Sequence, residues 1–286
     1  MSANGKYPLV FNPKDGYSDL TVTIPCGQCL GCRLEKARQW KVRIMHEAQL
    51  HESNSFVTLT YAPEFLPEGG GLVKRDLQLF FKRLRKRVGQ GIKYYAVGEY
   101  GSELSRPHYH ICLFGFDFPD KVLWKFDPRP ERSLYRSALL ETVWTFGYSS
   151  VGALTAESAG YVARYVQKKV TGVKASEHYG DKPREFAVMS RGGRCGHGIA
   201  YDWFGVFSSD VFPKDFVTLK GRKEKPPRYY DALYEERNPE RFKEVKEKRL
   251  RKAKEEEKSL RRLSGIEHVK MLVTGRTLKR PLEEAK

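Results

Sequence analysis

Two histidines one residue apart, His108 and His110 in R-P-H-Y-H-I-C-L-F-G at 106–115, carry the most informative chemistry in the chain. The stretch reads as a strand, where residues i and i+2 share a face, so both imidazoles project side by side while Tyr109 faces away. A rigid pair of imidazoles is a ready pair of metal ligands. Glu99 in V-G-E-Y-G ends the preceding strand, and hairpin pairing would bring its carboxylate to the same face. Glu103 in the loop is the competing carboxylate, but a strand end fixes a side chain better than a loop does. Two imidazoles and one carboxylate suit Mg²⁺ or Mn²⁺ engaged on a phosphate, and Zn²⁺ is also compatible. The plain alternative is two histidines that are simply packed or solvated, and a His-x-His pair alone does not decide between them.

A second constellation lies in A-G-Y-V-A-R-Y-V-Q-K-K at 159–169. On a helix Tyr161 and Tyr165 are i, i+4 neighbours on one face, and Arg164 and Lys168 each follow a tyrosine by three positions. A phenol, with a reference pKa of about 10, is a poor nucleophile at neutral pH. It becomes competent when the phosphorus centre is polarised and cations favour the phenolate. The ordinary alternative is a pair of core-rim aromatics.

Cys26, Cys29 and Cys32 sit in the Gly-rich turn P-C-G-Q-C-L-G-C. Three thiolates hold Zn²⁺ when a fourth ligand joins them, and Cys195 or His197 in R-C-G-H-G is the evident supplier. Unligated thiols and an iron–sulfur run stand as alternatives, although no local fourth cysteine followed by proline completes the latter. Cys112, in mid-strand, reads as a small core residue. An odd total of five cysteines argues against a disulfide framework and for a reducing, intracellular compartment.

These groups need a scaffold, and the hydrophobic pattern supplies one. Ala37, Trp40, Ile44 and Ala48 mark a basic amphipathic helix after the cysteine turn. Alternating β-branched and aromatic residues predict strands at 55–61, 92–98 and 108–115, with a shorter one near 147–152. Leu77, Phe80, Phe81, Leu84 and Val88 predict a helix at 74–88, and further helices are expected around 132–145 and at 156–170, the last with Thr155 as N-cap. Strand, helix, strand, strand, helix, strand is the βαββαβ order of a ferredoxin-like or RRM-like antiparallel sheet with helices on one face, an α+β fold. That sheet is a common platform for single-stranded nucleic acid.

Charge agrees. Lys+Arg 52 against Asp+Glu 35 gives +17 over 286 residues, which points to a polyanionic partner. No apolar run approaches the length of a membrane span, and the first twenty residues lack the pattern of a secretory signal, so neither is expected. The chain divides into 1–50 with the cysteine cluster and basic helix, a 51–220 domain with its C-terminal extension, and a charged 221–286 tail. In the tail, Asn238-Pro239 is a helix start, and 240–263 reads as a solvated, partly helical arm that could also bind DNA without sequence preference.

F-V-T-L-T-Y at 56–61, R-P-H-Y-H at 106–110 and Y-V-A-R-Y-V-Q-K at 161–168 stand in the order of the three motifs of HUH endonucleases, which they resemble. The paired-tyrosine helix is similar to that of the two-tyrosine replication initiators of small single-stranded DNA phages. P-C-G-Q-C-L-G-C, G-E-Y-G and P-P-R-Y-Y-D at 226–231 further resemble the replication initiation proteins of gokushoviruses within the microvirus family. The resemblance covers roughly residues 25–235. Tyr109 stands where the family usually has an aliphatic residue, and Arg164 stands where a lysine would follow the first tyrosine.

The resemblance implies rolling-circle initiation in the host cytoplasm. His108 and His110 would bind the divalent cation, and one of Tyr161 and Tyr165, assisted by Lys168, would attack the scissile phosphate. Arg106, Arg164 and Lys169 would contact the DNA. The products would be a 5′-phosphotyrosine and a 3′-hydroxyl primer, and the second tyrosine would later release a closed circle. Host polymerase and helicase would be indirect partners, with no membrane or small-molecule substrate involved. A different class fits the same composition: a non-catalytic RRM-like nucleic-acid-binding protein with a zinc knuckle.

Overall fold

The most strongly alternating stretch of the sequence lies at the centre of the sheet. In β1 (Asn54–Tyr61), Val57, Leu59 and Tyr61 are buried on one face while Phe56, Thr58 and Thr60 line the other, the two-residue period of a pleated strand. The computed structural model describes residues 24–101, 105–168, 174–192, 197–255 and 260–278, with Val10, Asn12 and Lys14 besides. Before β1 stands α1 (Leu30–Ala48). After it come α2 (Lys74–Val88), β2 (Lys93–Tyr100), β3 (Pro107–Phe114), β4 (Val122–Lys125), β5 (Leu134–Arg136), α3 (Ala138–Val143), β6 (Gly147–Ala153), α4 (Ala156–Lys168), α5 (Lys174–Tyr179) and β7 (Phe186–Met189). Two short ladders, β8 (Arg191–Gly192) with β9 (His197–Gly198) and β10 (Val217–Leu219) with β11 (Arg222–Glu224), enclose α6 (Tyr201–Val211). α7 (Arg228–Arg237), α8 (Pro239–Glu255) and α9 (Leu260–Leu278) follow.

β1 pairs antiparallel with β3 on one side and β6 on the other, and β2 pairs antiparallel with β3. The resulting order β6-β1-β3-β2 is the arrangement a βαββαβ chain adopts, and the α+β expectation holds. The sheet is larger than expected, because β5 and β4 extend it beyond β6 and β7 extends it beyond β2, for seven strands in all. One extension replaces part of the helix expected around 132–145. There, Pro130–Arg132 make a single 3-10 turn, Leu134–Arg136 join the sheet, and only Ala138–Val143 are helical. Ser137 starts that helix, its Oγ accepting from the N–H of Leu140 at 3.1 Å. Thr155 caps α4 as expected, its Oγ1 accepting from the N–H of Ser158 at 3.2 Å.

Helices cover both faces of the sheet, which corrects the expectation of one. α2 and α3 bring Leu77, Phe80, Phe81, Leu84, Leu140 and Val143 to the face of Val57, Leu59 and Ile111. α1, α4, α6, α7 and α8 bring Val42, Val162, Phe204, Tyr230 and Phe242 to the face of Val97, Cys112 and Phe114. The reason lies in β3, buried from Tyr109 to Phe114 on both sides, so each face needs a cover.

Tyr109 points into the α2 side as expected. Its hydroxyl lies 2.8 Å from that of Tyr61, accepts from the Val73 N–H and donates to the Val73 carbonyl, each at 2.9 Å. Tyr61 donates in turn to Asp76 at 2.7 Å. On the opposite face, α1 buries two polar groups. The Glu47 carboxylate accepts from the Lys93 ammonium at 2.9 Å and from the Ala200 N–H at the start of α6. The His46 ring stacks 3.5 Å from Trp203, and its Nδ1 meets the Tyr230 hydroxyl at 2.8 Å. Burial pushes the His46 pKa down to about 3.

The charged tail is anchored at its start. Tyr230, Tyr234, Phe242 and Val245 are part of the core, and Arg249 holds both Asp215 and Asp231 with paired hydrogen bonds. Leu250 and, in α9, Leu263, Val269, Met271, Leu272 and Val273 are exposed. Among the described residues no helix is long and apolar enough to cross a membrane.

Candidate active site

The register of β1 against β3 sets Thr58 opposite His110 and Thr60 opposite His108. Both threonines and both histidines lie on the same face, and each Oγ1 meets the facing Nδ1, at 3.1 Å for Thr58–His110 and 2.9 Å for Thr60–His108. Occupying Nδ1 fixes each ring and leaves the Nε2 edge for other work, the usual support of a ligating imidazole. The sequence reading passed over these threonines, although T-x-T at 58–60 and H-x-H at 108–110 share the two-residue period that lets them meet.

Glu99 reaches the same face, as expected. It lies opposite His108 in the β2–β3 register, and its buried carboxylate places Oε1 2.8 Å from Nε2 of His110. His108 instead turns its Nε2 over Gly101, where a Cβ would stand 2.8 Å from that nitrogen. Glycine there gives the ring its room. Among the described residues, Cys26, Cys29 and Cys32 are the one trio with all ligand atoms within 4.8 Å of one another; His108, His110 and Glu99 share a wall but are less tightly gathered.

α4 brings both tyrosines to His110, but at different depths. Tyr161 meets the imidazole edge-on at 5.3 Å and lines the cleft, half-buried. Tyr165 is 4 % exposed and stacks on the same ring at 5.5 Å and 9°. Phe56 lies nearly parallel to that ring as well, at 5.7 Å and 13°, and the two tyrosine rings touch edge to face at 4.6 Å. The i, i+4 spacing expected of the pair is therefore met, while the equal access it suggested is not seen.

These groups open onto a cleft of about 620 Å³. Arg106 and Arg164 line it beside the histidines and Tyr161, and the 127–134 segment forms the far wall with Arg129 and Arg132. Its exposed acids are answered by cations: the Arg129 backbone N–H and guanidinium hold the Asp127 carboxyl below the usual range, and the Lys220 ammonium, 2.7 Å away, does the same for Glu157. Lys168 ends α4, with its side chain outside the described atoms, and Lys169, Glu103 and Cys195 lie outside the described residues.

The cysteine turn forms the start of α1. Cys29 is its N-cap, accepting from the Cys32 N–H, and Cys26 accepts from the Cys29 N–H at 3.3 Å. The Sγ atoms of Cys26 and Cys32 are 3.9 Å apart. Backbone N–H groups of Cys29 and Gln28 pull the Cys26 thiol down to about 7, which favours the thiolate a metal needs. His197 pairs with Asp202 at 3.1 Å and stacks on Tyr201, and Cys112 is buried in the core as expected.

Comparison with known proteins places this geometry. The family model for the replication-associated protein ORF2 matches residues 54–170, from the first residue of β1 to just beyond α4. The replication-associated protein VP4 of Bdellovibrio phage phiMH2K is 31% identical over 262 residues, covering 88% of this chain and 80% of its own. The replication-associated protein ORF2 of Spiroplasma virus 4 is 34% identical over 247 residues, covering 81% of this chain and 74% of its own. The replication-associated protein ORF4 of Chlamydia phage 1 is 32% identical, with 77% of this chain and 56% of that protein covered. No solved structure gives a significant match. At this identity and coverage, across the segment that carries the histidines and tyrosines, the chain belongs to the family of replication-associated proteins.

Proposed function

We propose that the chain is a site-specific endonuclease of the HUH class that nicks single-stranded origin DNA and starts rolling-circle replication of a microvirus-like phage. The observation that carries this reading is the meeting of Tyr161 and Tyr165 with His110 and Glu99 on one cleft lined by Arg106 and Arg164. A buried carboxylate beside two oriented imidazoles is a donor set suited to Mg²⁺ or Mn²⁺, which when bound would draw charge from the scissile phosphate. His110, Glu99 and His108 would hold it.

The chain's own residues do the rest. Arg106 and Arg164 hold the phosphates and favour the phenolate of Tyr161. The phenolate oxygen attacks phosphorus, a tyrosine–phosphate ester forms, and the bond to the 3′ oxygen breaks, leaving a 5′-phosphotyrosine and a 3′-hydroxyl after protonation. That hydroxyl primes the host polymerase, with a host helicase opening the duplex ahead. Tyr165, with Lys168 three residues on, serves the second transfer that closes the circle. In this reading residues 51–220 hold the chemistry, 1–50 carry a structural Zn²⁺ on Cys26, Cys29 and Cys32, and the basic 221–286 tail adds charge in the host cytoplasm.

The test is a labelled single-stranded origin oligonucleotide incubated with the protein and Mn²⁺, then run on a denaturing gel. A label that migrates with the protein after boiling in detergent, and is lost with EDTA, is the expected result. Tight binding with no such adduct would replace the enzyme by a non-catalytic nucleic-acid-binding protein.

A further inference from the structure

β4 is the edge strand of the sheet and exposes Val122, Leu123 and Trp124, with Phe126 just after it. Phe126 is 74% exposed and Trp124 49%, and the chemistry above uses neither. The pairing of β4 with β5 is irregular: Val122 faces Arg136, Leu123 faces Tyr135, then Lys125 faces Leu134, leaving Trp124 as the extra residue. A bulge of this kind re-aims a side chain. Leu134 and Arg136 share a face of β5 by the two-residue period, and Leu134 lines the cleft. The Arg136 guanidinium carbon is 5.7 Å from the centre of the Trp124 ring and the Lys125 ammonium is 4.8 Å from it. The indole thus lies on the cleft side of the hairpin beside two cations. Beyond Phe126 the chain runs directly into the cleft wall at Asp127, Arg129 and Arg132.

We propose that this hairpin is a stacking shelf for the single-stranded DNA that leaves the cleft, with bases on Trp124 and Phe126 and phosphates on Lys125, Arg129 and Arg136. The proposal rests on reading the cleft as a DNA site and adds the path of the strand outside it. Stacking on an exposed ring needs an unpaired base, and it tolerates any sequence because every base has a π-face. The shelf therefore grips a flank and leaves origin choice to the cleft. Four strand spacings separate β4 from β3, about 19 Å, so the grip falls several nucleotides from the histidines. Arg136 also pairs with Glu141 at 2.6 Å and Arg129 with Asp127 at 3.5 Å, which holds both guanidinium groups in place on the hairpin.

The test uses the full chain and its Trp124→Ala/Phe126→Ala double variant, titrated with fluorescein-labelled oligothymidylates of about 16 and about 4 nucleotides and with a blunt duplex. Affinity for the longer strand should fall about tenfold or more, while the short strand and the duplex bind as before. Trp124→Phe alone should keep most of the affinity, and it carries the test if the double variant melts early. An unchanged long-strand affinity, or an equal loss on all three probes, overturns the proposal. If sedimentation shows that only the parent self-associates while its DNA affinity matches the variant's, β4 is an edge for a second copy instead. Adduct formation on origin DNA is scored separately, so a parent that binds in this pattern without forming an adduct sinks the catalytic reading and leaves the shelf standing.

Discussion

Glu99 meets His110 at 2.8 Å although its register partner is His108. The diagonal contact places a buried carboxylate against the more buried of the two imidazoles, while the ring of His108 stays by Gly101. Glu99→Gln keeps the shape and one hydrogen bond but removes the charge that would hold a cation and His110 together. We expect cleavage in Mn²⁺ to fall by about 10²-fold or more with the melting temperature little changed. Single-turnover kinetics across a Mn²⁺ titration measure it, and an unchanged rate at every concentration would remove Glu99 from the site.

Gly101→Ala tests the place of His108. The new methyl would meet Nε2 at 2.8 Å with the Arg106 carbonyl behind it at 3.6 Å, so the ring must leave its position. The expected result is a loss of cleavage comparable to that of His108→Ala, with affinity for non-origin single strands retained. Parent-like cleavage would mean that the ring works from another position.

The tyrosines should not be equivalent. Tyr161 lines the cleft, whereas Tyr165 is buried against His110. Tyr161→Phe should therefore lower the first, single-turnover cleavage by about 10³-fold or more. Tyr165→Phe should leave that step nearly intact and block release of closed circles. Mass spectrometry of the adduct decides, and an adduct on Tyr165 in the parent protein under single-turnover conditions would reverse the order.

His46 gives stability a pH dependence. Its folded pKa of about 3 lies below the ordinary 6.5, so between those values the unfolded chain binds a proton that the folded chain refuses. Stability contributed by the neutral ring is present above about pH 6.5 and is lost as pH falls, at up to about 1.4 kcal/mol per pH unit. Between pH 7 and pH 5 the loss is about 2 kcal/mol. His46→Gln should be less stable at pH 7 but should lack that part of the slope, which urea unfolding at the two pH values measures.

The strands that hold the site were legible because their alternation is strong: F-V-T-L-T-Y and H-Y-H-I-C-L-F can present their polar residues together in only one way. The hairpin at 122–136 was not. Leu134, Ala138, Leu139, Leu140 and Val143 are apolar at spacings a helix would also show, and only the Ser137 cap divides strand from helix. The second cover of the sheet was hidden because it comes from α6, α7 and α8, far along the chain and partly inside a segment dominated by charge. The unequal tyrosines were hidden for a different reason. Helical spacing fixes the angle between two side chains, while their depth depends on what packs above them, here His110 and its neighbour Phe56.

The hydroxyl of Tyr109, tied to Tyr61 and to both backbone groups of Val73, gives the aromatic residue at the centre of R-P-H-Y-H a task that no aliphatic side chain could perform. Sliding β3 by one residue would drive His108 and His110 into the apolar layer beneath α2 and swing Tyr109 into the cleft, stranding its hydroxyl away from three partners at once. The ring therefore acts as a ratchet pawl on the strand, permitting a single alignment. A phenol on the hidden side of the sheet thus guards the placement of the two imidazoles on the working side.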